Sequence, residues 1–281
     1  MFMSRGSADL EQLAEQIQTT QKLIRNPETD WTERSLVITK LAEAIEALGK
    51  EAGGYSDAVQ LLLGLSSELG ALLEASGQRL IMDVCENLRR IVEVMGRDFG
   101  AMANALLPQI INLSRNTLPA TRQLGAELLQ KLSELVRYDL TLLKTIFMRS
   151  NQDRPRVLIL KQLQKILVYW SEDEVLPWKE DVLETVQHGL SDQHENVREV
   201  ARETLVQLSS RWSDQVDVVV ETLSKQTKML LLRRHQGTPL ATAIERKHPD
   251  LAAIPVTHSR KRALLRSGAR KFSSNKRHKE T

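Results

Sequence analysis

Cysteine, aromatic residues and long apolar runs are all scarce in this sequence of 281 residues. The single cysteine, Cys85, excludes an internal disulfide framework and a multi-cysteine zinc site, and makes a reducing compartment, the cytosol, the default expectation. Aromatic residues are 4 % of the chain, thin for a β-sandwich core or for a surface that stacks nucleobases. No stretch approaches the ~20 apolar residues of a membrane helix, and Met1 to Leu10 lack the apolar core of a secretory signal. There is no Gly-rich phosphate loop, no H-E-x-x-H pair and no nucleophile elbow, so a non-enzymatic binder is expected. His188 and His194 have no cysteine or carboxylate at ligand spacing, and neither a metal nor another cofactor is expected.

What is present is charge, unevenly placed. The formal net charge is +3, yet Arg233 to Thr281 carries thirteen basic residues against three acids, which leaves the body to Leu232 at −7. Such asymmetry marks a folded domain, 1–232, followed by a basic arm, 233–281, that seeks a polyanion. The arm has no sustained apolar stripe and reads as largely disordered. Its clusters are Arg260-Lys261-Arg262, Arg270-Lys271 and Lys276-Arg277, with Ala263 to Leu265 able to form a short helix on a partner.

Apolar residues in the body recur at steps of three and four. Val37, Leu41, Ile45 and Leu48 form one stripe, and Ile81, Cys85, Leu88, Val92 and Met95 a second. Ile159, Leu163, Ile166 and Trp170 form a third, and Val197, Ala201, Leu205, Leu208 and Trp212 a fourth. Nothing alternates with a period of two, so the fold class is all-α. Breakers divide the body into helices near 7–25, 30–48, 56–74, 78–95, 99–114, 118–137, 139–148, 154–171, 177–190, 194–211 and 214–232. Pro119, Pro155 and Pro177 suit first turns, whereas Pro108 falls within a helix and is expected to kink it. Asp30 to Glu33 and Asp192 to Glu195 each have the spacing of a capping box.

The loops within successive helix pairs fall near 28–31, 75–79, 115–119, 150–155 and 191–195. Trp31, Gly77, Thr117, Gln152 and Gln193 mark them at intervals of 46, 40, 35 and 41 residues. A period of roughly 40 is that of HEAT-type pairs. Five pairs plus a terminal helix would stack into an α-α superhelix, with every intra-pair loop along one edge.

Three segments of the body resemble the TOG domain of the cytoplasmic linker-associated proteins, CLASPs. They are Asp30-Trp31-Thr32-Glu33-Arg34, then Ala105-Leu106-Leu107-Pro108 with Asn112, Leu113 and Asn116, then Gly189-Leu190-Ser191-Asp192 with Arg198, Ala201 and Arg202. The resemblance spans about Thr29 to Arg233. It implies a microtubule-associated protein that binds αβ-tubulin through the loop ridge and regulates microtubule dynamics, located in the cytoplasm on the microtubule cytoskeleton and extending to the spindle. It assigns Trp31, Asn116, Arg156, Arg198 and Arg202 to tubulin, and leaves the arm to the negatively charged lattice. Pro119 and Gly77 depart from the lysine and arginine often found in the third and second loops of that family; Arg79 and Arg122 are the nearest substitutes.

Each assignment has an alternative in the residues themselves. A tryptophan one position past an N-cap can staple the helix start instead of facing out, and on residue type alone packing is favoured. Arg198 and Arg202, four apart among Glu195, Glu199 and Glu203, equally describe a solvated salt-bridge face. Arg156 in a first turn, with Arg154 beside it, reads either way. Cys85, Trp170 and Trp212 are core positions on their stripes, and Trp178 fits helix-pair packing less securely. The rival functions are a HEAT-like protein adaptor and a nuclear or nucleic-acid-associated scaffold using the arm, nucleic acid being the less favoured partner.

Overall fold

A computed structural model describes residues 5–48 and 55–252. Within them the chain is helical throughout: α1 (Arg5–Arg25), α2 (Trp31–Leu48), α3 (Ser56–Leu63), α4 (Ser66–Leu73), α5 (Gln78–Met95), α6 (Gly100–Asn112), α7 (Pro119–Leu135) and α8 (Leu140–Arg149), then α9 (Asp153–Tyr169), α10 (Glu172–Val175), α11 (Lys179–Leu190), α12 (Glu195–Ser209), α13 (Ser213–Thr222), α14 (Lys225–Arg234), α15 (Pro239–Lys247) and α16 (Pro249–Ala252). Short 3-10 turns at Gly96–Phe99, Leu113–Arg115 and Leu176–Trp178 join neighbouring helices.

The helices form two layers. α1, the α3–α4 pair, α6, α8 and α11 pack in series as one, and α2, α5, α7, α9 and α12 as the other. All four apolar stripes point between them, and of their residues only Leu48 keeps appreciable surface. Cys85 is sealed there, and burial pushes its thiol up to about 12. Trp170 donates its indole N–H to the Ser133 carbonyl at 2.9 Å, and the Tyr138 ring meets it edge-on at 5.3 Å. Trp178 is half-buried, with its ring 6.1 Å from that of Trp170. Trp212 is buried.

Interfaces along the second layer also bury amides. Asn87 of α5 donates to Thr39 of α2 at 3.2 Å. Gln162 of α9 donates to the Leu129 carbonyl of α7 at 2.7 Å and to the Tyr138 hydroxyl at 2.6 Å. Gln164 donates to Thr204 of α12 at 3.1 Å. Each amide has a partner only in one register of its helix pair.

Four expectations change. The helix expected over 56–74 is two, because the chain turns at Gly64 and Leu65; Gln21 of α1 donates to the Gly64 carbonyl at 3.2 Å and Ser66 caps the Leu63 carbonyl at 2.8 Å. The terminal helix expected over 214–232 is also two, since Ser224 caps a new start through the Thr227 N–H at 3.2 Å. Helix continues past 232, the limit set by charge: Thr238 caps α15, and its Leu240, Ala241 and Ile244 are buried where α15 packs on α12 and α13. The capping box expected at Asp192 is absent, because α12 begins at Glu195 and both Asp192 and Glu195 are engaged by arginines; the box that forms is Ser171 with Glu174. α6 runs through Pro108 to Asn112. The arm residues Arg260, Lys261, Arg262, Arg270, Lys271, Lys276 and Arg277 lie outside the described residues.

Candidate functional site along the loop rim

The two-layer stack brings the intra-pair loops to one edge. These are the turns between α1 and α2, α4 and α5, α6 and α7, α8 and α9, and α11 and α12. Contacts run from loop to loop: Arg115 to Ser150 at 3.4 Å, Asp153 to Asn196 at 2.6 Å and Arg156 to Asp192 at 2.6 Å.

Trp31 opens α2 at the first loop with 51 % of its surface exposed. Asp30 caps that helix, accepting from the Glu33 N–H at 2.9 Å and from the Thr32 hydroxyl at 2.5 Å. Those two bonds, the hydroxyl's foremost, hold its carboxyl below the usual range. The first turn is therefore tied by the aspartate and the indole is left outside it. Ser35 of α2 meets Asp83 of α5 at 2.6 Å, and Thr39 meets Asn87, so the two helices run level. One turn earlier on each, that register puts Arg79 level with Trp31 at the rim. Arg79 is exposed, and among the described residues its one ion pair is a 3.4 Å contact to Asp83.

The other assigned residues turn inward. Asn116 accepts from the Leu118 N–H at 2.9 Å and so shapes the third loop's turn. Arg156 reaches Asp192 with its side chain 15 % exposed and the carboxylate 2 % exposed, and also lies 3.3 Å from His194 Nδ1. Arg198 grips Glu195 together with the Asp192 and Gln193 carbonyls. Arg202, 8 % exposed, bonds the other oxygen of Glu195 at 2.6 Å. These two arginines, Arg202 first, lower the Glu195 carboxyl.

A repeated device, not read from the sequence, accounts for Arg156 and Arg198. In four of the five loops an arginine four residues past the N-cap folds back onto loop carbonyls: Arg34 onto Asn26 at 3.0 Å, Arg122 onto Asn116 at 2.9 Å and Thr117 at 2.8 Å, Arg156 onto Gln152 at 3.3 Å, and Arg198 onto Gln193 at 2.9 Å. The second loop has the buried Ile81 in that place. Arginine at this interval in successive pairs was visible in the sequence, but its target carbonyls were not. Among the described residues, Arg154 is exposed on the fourth loop and enters no ion pair.

The CLASP N-terminal family model matches residues 13–232. The chain belongs to that family. The match takes in every loop of the rim, and the fold is a TOG domain of the CLASP type. A structure solved for TOG–tubulin binding specificity in microtubule dynamics and mitotic spindle formation is 16 % identical with a TM-score of 0.57, the alignment covering 84 % of this chain and 90 % of that one. The CEP104 TOG domain is 10 % identical, TM-score 0.58, over 88 % of this chain and 99 % of its own. A TOG-domain array of the microtubule polymerases, solved for tubulin recruitment and assembly, is 13 % identical with TM-score 0.58, and the alignment spans 83 % of this chain but 45 % of the array. At these identities the likeness is one of fold. Comparison with the curated proteins returns no match.

Proposed function

We propose that this CLASP-type TOG domain is a microtubule-associated protein whose loop rim binds αβ-tubulin. The observation that carries the reading is Trp31, an indole half in water at the head of the rim although the residue type favours burial. A large exposed aromatic level with an exposed guanidinium is the composition of an interface anchor. Arg79 and Arg154 supply accessible cations toward an acidic partner, with Arg198 partly available. Asn116, Arg156 and Arg202 act by holding the loops. With the helices to Ala252 counted in the body, the body carries −5 and residues 253–281 carry +8, so that segment is the part that seeks the negatively charged lattice and raises the local concentration of the domain. The outcome is regulation of microtubule dynamics on the cytoskeleton, without catalysis.

The deciding experiment measures αβ-tubulin binding by the whole chain and by Trp31→Ala. About a thirtyfold loss, the ~2 kcal/mol of an interface hot spot, with an unchanged melt is expected. Equal affinity, or collapse of the fold, would remove the indole from the interface.

A further inference from the structure

α6 and α8 separate at the rim around a cleft of about 420 Å³. That is within the size range of sites that hold a ligand or a peptide side chain. Its apolar lining is Pro108 and Ile111 of α6, Leu142 and Ile146 of α8, and Pro155 of α9. Pro108, Leu142 and Ile146 keep accessible surface, so the floor is open to solvent.

Arg115 and Arg149 also line the cleft, and both are exposed. Neither has a carboxylate within ion-pair distance among the described residues. Arg115 is tethered only by a 3.4 Å contact to the Ser150 hydroxyl. Clamp arginines on the same rim are occupied by loop carbonyls and acids; these two are not. The body as a whole is negative, so two unpaired guanidinium groups above an apolar floor are out of keeping with it. Glu74, at the end of α4, supplies a single opposing charge.

We propose that this cleft docks a short acidic peptide segment of a partner protein, which inserts one aliphatic side chain between α6 and α8 and sets its carboxylates against Arg115 and Arg149. Guanidinium forks match carboxylates in a way that ammonium groups do not, and an unpaired fork needs no internal bond broken before it binds. The apolar floor selects acidic peptides with an aliphatic residue over plain polyanions. Glu74 orients the segment, with its acids on the arginine side. Nucleic acid fits less well, since no lining residue is aromatic and Glu74 repels phosphate.

The test uses the full chain and no tubulin, so its result is separate from the reading above. The probe is a fluorescein-labelled peptide of glutamates around one leucine, followed by anisotropy. The C-terminal basic clusters attract any acidic peptide, so dependence on the leucine and on Arg149 decides the matter. Saturable binding is expected, with about tenfold loss for the leucine-to-serine peptide and for Arg149→Glu, whose melt stays unchanged. Charge reversal at Lys40, exposed on α2, should leave the affinity as it was. Equal binding by Arg149→Glu, indifference to the leucine, or tighter Arg149-dependent binding of a polyuridine oligomer would overturn the proposal.

Discussion

Nη1 of Arg156 on α9 lies 2.6 Å from Oδ2 of Asp192 in the fifth loop, and the carboxylate is almost sealed from water. Asp192 also accepts from the His194 N–H at 2.8 Å, so one side chain shapes its own loop and fastens it to the neighbouring helix pair.

Removing that carboxylate strands a largely buried guanidinium. Asp192→Ala should cost about 2–4 kcal/mol of unfolding free energy. Urea titration would read this as a lower midpoint at an unchanged slope.

Arg154, on the same rim, has no such partner among the described residues. Reversing it to Glu should leave stability unchanged while slowing association with αβ-tubulin about three- to tenfold at low salt and reducing the salt dependence. Stopped-flow mixing over a range of ionic strength distinguishes this from an effect on dissociation.

Gly189 lets α11 lie against α12. A methyl group there would sit 2.9 Å from the Ala201 Cβ, inside van der Waals contact. Gly189→Ala should therefore cost about 1–3 kcal/mol through displacement of the helix pair, measured by thermal or denaturant unfolding.

At the edge opposite the rim, Glu174 bonds Arg137 at 2.9 Å and Arg97 at 2.8 Å. Chiefly through Arg137, its pKa falls to about 2 from an ordinary 4.5. A carboxylate depressed on folding contributes stability that is whole above its unfolded value and is lost as pH falls toward the folded one. Wild type should thus lose about 1–2 kcal/mol relative to Glu174→Gln between pH 5 and 2, after allowance for solvent screening. Parallel denaturant titrations across that window would show the two curves converge at acid pH.

The layers were legible because burial on one helix face writes itself into apolar spacing, and Val197, Ala201, Leu205 and Leu208 are as buried as that spacing requires. The turn at Gly64 was not, because its stabilising bond comes from Gln21 on another helix. Thr238 and Pro239 announced α15 by cap and first-turn chemistry, but the charge of the surrounding segment pointed to an arm. At the rim, exposure of Trp31 could not be settled from residue type. The resemblance assigned the arginines outward; Arg156 and Arg198 instead bind groups that no sequence displays, Asp192 far along the chain and loop carbonyls, whereas Arg202 meets Glu195, the neighbour that the salt-bridge alternative named.

Four of the five loops carry an arginine folded back on their own carbonyls, and the second, with Ile81, does not. On the proposed reading, those four turns would meet tubulin preorganised, their conformational entropy already surrendered in folding. The turn around Gly77 has no such clamp among the described residues. If the rim binds tubulin as proposed, a substitution that stiffens this turn without adding a contact should raise affinity there.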